Sequence, residues 1–346
     1  MFFYVVYISL LMIVSGRYYI TKTQPRLNSN LCFHLAIFLM ILVSSFRFNI
    51  GYDWSQYLYF VYPNVYYSYI RTKEPLSALY MCIAGQLRQP IVMFFLFALT
   101  TYTLIGKTIE KFSASKYESL MIYFCLFYLE SLSILRQAVA LAVVLYGYKY
   151  IKSKEFVKYS LCCIVAFLYH KSALIALPIY FIYYMKPVFV FLFSIVFVIL
   201  IKILAPVIIN SMFPNAMVYY ESITASSNGN FMRLIYLGYY LYSFLLRKKN
   251  DKETIGFLKI LSFGILLPFV LGGLTGGRFA MYFIIYLILL LPKINQRFTI
   301  EYKVFFLLPF YALFFFYLLI SVYINKSDNY VPFRWYFLED LNQHIE

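Results

Sequence analysis

The chain has 346 residues, of which 63% are hydrophobic and 13% charged, and its formal net charge is +16. A soluble globule of this length needs more polar surface than a mean hydropathy of +0.75 allows, which excludes that class. Long apolar runs with short polar breaks predict membrane-spanning helices, because a helix satisfies its own backbone groups in lipid. We therefore expect an all-α integral membrane protein that crosses the bilayer many times.

The apolar runs predict about twelve transmembrane helices, within a range of roughly ten to fourteen. In chain order they are residues 2–19, 31–46, 91–106, 117–129, 132–150, 156–169, 171–185, 187–209, 231–246, 254–272, 278–292 and 303–324. The first run is apolar from Met1 and has no basic leading region or cleavage site, so we expect a retained span and not a signal peptide. No linker or repeat divides the chain, which predicts a single membrane domain over residues 1–346.

The longest polar interruptions are expected on the extracytoplasmic side, at about 47–90, 210–230 and 325–346. In the first of them, Pro75–Leu87 is amphipathic and predicts a short helix at the membrane surface. Glu74 precedes its first turn, where an acidic side chain is favourable. This stretch is the expected structured element of the first loop.

Basic residues alternate between successive loops. Nineteen of the thirty, fifteen of them lysines, lie in 17–30, 107–118, 149–158, 186, 247–259 and 293–303. Cytoplasmic loops carry an excess of Lys and Arg, so these segments are predicted to face the cytoplasm and both termini to face outward. The opposite loops hold ten basic residues, of which seven are arginines: Arg47, Arg71, Arg88, Arg136, Arg233, Arg278 and Arg334.

The arginines of the outward loops indicate an anion-binding face. The rule that orients membrane proteins treats Lys and Arg alike, so it does not explain a bias towards arginine. A guanidinium binds phosphate or carboxylate through two parallel hydrogen bonds, which lysine cannot do. Arg71, Arg88 and Arg233 fit equally well a simpler role as headgroup anchors at helix ends.

Other ligands are not indicated. The five cysteines are odd in number, lie mostly inside apolar runs and lack metal-ligand spacing, so we expect no disulfide, no metal and no cofactor. Outside the spans no basic stretch is interleaved with aromatic residues, so nucleic acid is not an expected partner. Anionic membrane lipids account for most of the positive charge.

Five segments, in this order along the chain, resemble the EpsG-type branch of the Wzy polysaccharide (O-antigen) polymerases. They are Arg47–Tyr57 (RFNIGYDWSQY), Glu74–Leu76 (EPL), Leu135–Ala140 (LRQAVA), His170–Pro178 (HKSALIALP) and Gly277–Tyr282 (GRFAMY). Tyr330–Arg334 (YVPFR) is a looser match. The resemblance implies a GT-C-like membrane glycosyltransferase or ligase architecture. It also implies a polymerase that joins polyprenyl-diphosphate-linked oligosaccharide units at the outer face of a bacterial inner membrane.

The residue types in these segments suit metal-independent glycosyl transfer. Arg136 and Arg278 are expected to bind the diphosphate and to stabilise charge on the leaving group. Secondary contacts are expected from Gln137, Arg47 and, with the looser match, Arg334. The proton of the attacking hydroxyl would pass to His170, Asp53 or Glu74, and the sequence leaves these three open. The expected partners are a lipid-linked donor and acceptor, membrane lipids and a chain-length regulator protein.

Each assignment has a structural alternative. Arg136 could form an ion pair with Glu130, and the two outer acids could neutralise basic residues of their own loop. The glycines before Arg278 suit either close approach to a ligand or close helix packing. At the level of function, an O-antigen ligase or a membrane acyltransferase would use a similar outer site. A flippase or transporter would need ionisable residues along the middle of the spans, where Lys202 comes closest.

Overall fold

The computed structural model describes residues 3–10, 29–61, 74–212, 230–271, 273–323 and 330–337. Within these ranges the regular structure is helical, apart from one isolated antiparallel bridge between Arg47 and Trp335. The all-helical fold class is confirmed for this part of the chain. Arg71 and most of the interruptions predicted at 210–230 and 325–346 lie outside the described residues.

Many helix bounds follow the apolar runs, but the runs predicted as single spans at 132–150, 171–185 and 278–292 are each divided into shorter elements. In chain order the elements are α1 (3–10), α2 (Ser29–Ser45), α3 (Trp54–Phe60), α4 (Pro75–Gln86), α5 (Pro90–Phe112), α6 (Lys116–Tyr123), a π-helical turn (Phe124–Tyr128), α7 (Leu129–Ser133), α8 (Leu135–Tyr146), α9 (Tyr148–Lys152), α10 (Phe156–Tyr169), a 3-10 helix (Lys171–Ala176), α11 (Ile179–Tyr184), α12 (Pro187–Met212), α13 (Asn230–Leu246), α14 (Lys252–Leu271), α15 (Gly273–Ile284), α16 (Leu287–Asn295) and α17 (Ile300–Tyr323).

Among the described helices, α5 is long and apolar enough to cross a membrane without help from another segment. The pair Gly276–Ile284 and Leu287–Asn295, bent by 43°, is a second crossing if the two are counted as one span. These helices and the composition fit a membrane protein. The count of twelve spans and the GT-C-like architecture stay predictions.

The chain reverses direction at Ile134, between α7 and α8. The backbone of Ile134 leaves the helical region (φ −101°, ψ 52°). It separates a first arm, formed by α6, the π-helical turn and α7, from a second arm, formed by α8 and α9. The far end of the first arm lies at the end of α5, where the hydroxyls of Ser113 and Ser119 are 2.6 Å apart. The far end of the second arm lies there too, with the rings of Phe112 and Tyr148 at 5.2 Å. The reversal point at Ile134, with Arg136 two residues after it, therefore lies at the end of the bundle opposite to these contacts.

A second reversal occurs at His170. The helix α10 ends at Tyr169, and His170 is extended (φ −156°, ψ 123°) before the 3-10 helix begins. The two arms pack together, since the Tyr159 hydroxyl donates to the Ala176 carbonyl at 2.8 Å. His170 thus lies at the tip of a helical hairpin, as the boundary between the spans 156–169 and 171–185 predicted.

The helix predicted at Pro75–Leu87 is present as α4, but it does not lie alone on a surface. Its small and apolar stripe of Ser77, Ala78, Met81 and Ala84 is buried. Tyr80 packs against the ring of Phe97 at 5.1 Å and its hydroxyl lies 2.8 Å from that of Thr100, so α4 runs alongside α5. The stripe of small residues permits this close packing. Glu74 lies at the start of α4, which is the end opposite to the turn that joins α4 to α5.

Ion pairs join the loops that were predicted to share the cytoplasmic side. Glu253 binds Lys152 at 3.1 Å and also binds Lys293, which lies 3.3 Å from Asp251. These residues come from three of the predicted cytoplasmic segments, 149–158, 247–259 and 293–303. The loop alternation expected from the charge pattern agrees with these contacts.

Candidate functional site

Glu74 forms the centre of a cluster that joins three of the motif segments. The residue is only 4% exposed. One oxygen accepts from Arg136 Nη1 at 2.5 Å, and the other lies 2.7 Å from His170 Nδ1. The backbone N–H of Lys171 donates to the same oxygen as His170, at 3.2 Å. The helix break at Ile134 and the hairpin tip at His170 place these donors around one carboxylate.

The surroundings of Glu74 hold it in the ionised form. Burial acts to raise its pKa, but the hydrogen bond from His170, the nearby charges of Arg136 and His170 and the Lys171 N–H together lower the pKa from 4.5 to about 2. A carboxylate that binds protons so weakly is a poor general base near neutral pH. Since an ionised carboxylate only accepts, His170 Nδ1 must carry the proton in this bond, which leaves Nε2 as the ring nitrogen that can accept one.

Asp53 directly precedes α3, and Tyr57 of that helix lies beside Arg136. The Tyr57 N–H donates to the Asp53 carbonyl at 3.0 Å, and the Tyr57 ring lies 5.9 Å from the Arg136 guanidinium carbon. Asp53 is half-buried. Burial raises its pKa, against the opposing attraction of Arg278 and Arg136. The two carboxylates near Arg136 therefore have pKa values displaced in opposite directions.

Arg278 is exposed on α15, and its backbone is fixed by neighbouring segments. Its carbonyl accepts from Gln137 Nε2 at 2.6 Å. One turn later, the Tyr282 hydroxyl lies 3.0 Å from that of Ser172, two residues after His170. Gln137 is 2% exposed, so in this structure it holds the Arg278 backbone, which differs from the ligand contact expected for it.

The glycines before Arg278 serve different purposes. A Cβ at Gly276 would lie 2.5 Å from the Pro268 Cα, so the absence of a side chain there permits α14 and α15 to pack closely. A Cβ at Gly277 would meet nothing within 4 Å. Helix packing therefore explains Gly276, while Gly277 leaves open space beside the exposed Arg278.

Arg47 is fully buried, with an exposed fraction of 0%. Its guanidinium donates to the carbonyls of Ile50 at 3.0 Å, Leu132 at 2.9 Å and Ser44. It also lies 4.7 Å from the ring centre of Phe94. This placement differs from the ligand contact expected for Arg47, because the side chain holds the backbone just before the helix break and has no surface open to a ligand.

The C-terminal motif returns to the same end of the bundle. The Arg334 carbonyl accepts from the Phe48 N–H at 3.0 Å, and the Tyr330 hydroxyl lies 2.7 Å from that of Ser133. Arg334 is half-buried, and its backbone is what contacts the Arg47 segment. Arg88 is exposed at the end of α4, and Arg233 lies on α13.

Three uncharged residues of the site were not identified from the sequence: Tyr57, Ser172 and Tyr282. Each lies inside a motif segment, and Tyr57 follows Asp53 by four residues, which places both on one face of a helix. A pattern of charged side chains does not indicate them. No group of three or more His, Cys, Asp or Glu side chains that could hold a metal ion occurs in the part of the chain that the structure describes.

The chain matches a known protein family. The model of the EpsG family matches residues 30–335, a range that includes every residue of the cluster around Glu74. No curated protein and no solved structure matches the chain. Because the family match covers most of the chain, the protein belongs to the EpsG family.

Proposed function

We propose that this protein is a membrane glycosyltransferase that joins polyprenyl-diphosphate-linked oligosaccharide repeat units into a polymer. Membership of the EpsG family points to a polysaccharide polymerase of exopolysaccharide biosynthesis. The observation that carries the finer proposal is the cluster in which buried Glu74 holds Arg136 and His170. It provides a fixed cation for a diphosphate and an oriented imidazole for a hydroxyl, with Asp53 and exposed Arg278 beside them.

Arg136 and Arg278 are assigned to the donor diphosphate. In the reaction, the bond between the anomeric carbon and a diphosphate oxygen breaks, and the diphosphate leaves with the electron pair. A guanidinium that points at this oxygen stabilises the transition state, because negative charge develops on the oxygen as the bond breaks. Glu74 keeps the Arg136 side chain in one position, and Gln137 does so for the Arg278 backbone, so little reorganisation is needed during the step.

His170 is assigned as the proton acceptor for the attacking hydroxyl. As the hydroxyl oxygen forms its bond to the anomeric carbon, its proton passes to Nε2 of His170. The bond from Nδ1 to Glu74 fixes the tautomer and stabilises the imidazolium that results. Asp53 is the second candidate, since it is half-buried and has a raised pKa. Glu74 acts as a positioning residue because it is ionised and engaged by three donors.

The expected setting follows from the charge pattern and the lipid-linked substrates. The cluster faces the exterior of a bacterial inner membrane, where the growing glycan on one lipid carrier is transferred to a second lipid-linked unit. Such a reaction needs adjacent donor and acceptor sites, and a chain-length regulator is a natural further partner. About twelve spans in a GT-C-like arrangement would place the donor diphosphate at headgroup depth.

The test is a gel of surface polysaccharide from a deletion strain that carries each variant. Arg136→Ala, Arg278→Ala and His170→Ala should abolish the polymer ladder and leave single repeat units on the surface lipid. Arg88→Ala, which removes an exposed arginine away from Glu74, is the matched control and should give a normal ladder. Protein levels are compared by immunoblot of the membrane fraction.

Two outcomes would contradict the proposal. A normal ladder from both Arg136→Ala and Arg278→Ala would refute the diphosphate site. Loss of the single-unit band together with the ladder would indicate a flippase or a ligase and not a polymerase, because single units would then no longer reach or join the surface lipid.

A further inference from the structure

A second group of basic residues lies at the far end of α5. Lys107 and Lys111 are exposed on the last turns of that helix, and Lys149 is half-buried on α9. Phe97, which contacts Tyr57 near the Glu74 cluster, lies ten residues before Lys107 on the same helix. At 1.5 Å per residue this places Lys107 about 15 Å further along α5, away from the proposed active site.

Lys107 and Lys111 lie one helical turn apart on α5. The contact between the rings of Phe112 and Tyr148, at 5.2 Å, brings the start of α9 and Lys149 beside the end of that helix. The ammonium of Lys149 lies 3.9 Å from the ring centre of Tyr146 and 4.5 Å from that of Tyr150. We call Lys107, Lys111, Lys149 and Tyr146 the lysine cluster. It is built from the ends of α5, α8 and α9.

The lysine cluster differs from a set of nearby lysines that carboxylates neutralise. Four lysines form such ion pairs, namely Lys116 with Glu110, Lys158 with Glu155, Lys152 with Glu253 and Lys293 with Asp251 and Glu253. Within the described residues, no carboxylate lies in ion-pair contact with Lys107, Lys111 or Lys149. Like charges gathered without a counter-charge repel one another, and an anion bound between them relieves that repulsion.

We propose that the lysine cluster binds the phosphate of an anionic membrane-lipid headgroup. The cluster lies at the end of α5, the described helix that can cross a membrane without help, so it lies at headgroup depth. Tyr146, Tyr150 and Phe112 supply the aromatic surface that suits the interface between acyl chains and headgroups. Ammonium groups on flexible stems suit a mobile phosphate, whereas the Glu74 cluster uses arginine forks.

The experiment measures lipid binding to the purified full-length protein by native mass spectrometry in detergent. Phosphatidylglycerol and phosphatidylcholine are titrated separately. The variant Lys107→Gln/Lys111→Gln/Lys149→Gln should lower the apparent affinity for phosphatidylglycerol by at least roughly tenfold, while the wild type prefers it to phosphatidylcholine. The single variant Lys149→Gln should show a smaller loss in the same direction, which keeps the test valid if the triple variant does not fold.

The matched control is Lys154→Gln/Lys248→Gln/Lys249→Gln. It removes the same number of charges from exposed positions in the same set of loops, outside the lysine cluster. Its affinity for phosphatidylglycerol should stay within about twofold of the wild type. An equal loss in both triple variants would overturn the proposal, because the lipid would then respond to overall charge and not to a site.

Two further arms identify the source of the anion. Inorganic phosphate at millimolar concentration should not displace phosphatidylglycerol. If phosphate does replace the lipid, and the triple variant of the lysine cluster abolishes phosphate binding, the ligand is a soluble phosphate and the lipid assignment is refuted. A polyglutamate peptide should bind no better to the wild type than to the cluster variant. A peptide that binds through the lysine cluster in preference to the lipid would assign an acidic protein segment and refute the lipid assignment.

Discussion

Replacing Glu74 by Gln removes one negative charge from a side chain of nearly unchanged size that is 4% exposed. Burial acts to raise the pKa of this carboxyl, but the His170 hydrogen bond and the charge of Arg136 lower it from 4.5 to about 2. One pKa unit corresponds to about 1.4 kcal/mol, so the fold stabilises the ionised carboxylate by about 3 kcal/mol. In the variant that stabilisation is lost and Arg136 remains part-buried beside a neutral amide.

The pH dependence follows from the sign of the shift. The pKa is lower in the folded protein than in the unfolded chain, so the contribution of Glu74 is fully present above pH 4.5. It is lost as the pH falls from there towards about 2. At pH 7 the thermal midpoint of Glu74→Gln in detergent should lie about 4 °C below that of the wild type, and the difference should shrink as the pH is lowered through this window.

The assay is thermal unfolding of both proteins in detergent, followed by intrinsic fluorescence from pH 7 downwards. Glu110→Gln is the matched control, because Glu110 is an exposed glutamate whose ion pair with Lys116 should contribute less than about 1 kcal/mol. Equal midpoints for Glu74→Gln and the wild type at pH 7 would refute the reasoning, as would an equal effect of the control. The polymer ladder should also be lost in Glu74→Gln, because Arg136 and His170 are no longer held.

Two other substitutions test the surroundings of the cluster. Burial raises the pKa of Asp53 despite two nearby arginines, so the ionised carboxylate lowers the stability of the folded protein at pH 7. Asp53→Asn should therefore raise the thermal midpoint, while the polymer ladder becomes weaker. An unchanged ladder would exclude Asp53 from the reaction. Gly51 has φ 102°, and a Cβ there would lie 2.7 Å from the Leu132 oxygen, so Gly51→Ala should destabilise the protein by more than about 1 kcal/mol. Gly277→Ala, with open space at its Cβ, should be neutral or stabilising, and equal midpoints for the two variants would contradict this account.

Helix positions and the grouping of loops could be read from the sequence, because both follow from local patterns. The apolar run at 156–169 was predicted and is the helix Phe156–Tyr169. Short loops between membrane-spanning segments alternate between the two faces of the membrane, so the charge pattern predicted that Lys152 and Lys293 lie on the same face. Both contact Glu253 in the structure. The motif segments also identified Glu74, Arg136 and His170 as candidates, which the structure brings into contact.

The roles within the site depend on burial and on partners from distant segments, which no local pattern specifies. Arg47 and Arg136 are both arginines next to apolar runs, yet one is fully buried against backbone carbonyls and the other forms an ion pair at a part-exposed position. The sequence left His170, Asp53 and Glu74 equal as proton acceptors. Packing separates them, because a carboxylate that is buried among three donors stays ionised, whereas one that is buried with fewer partners binds its proton more tightly.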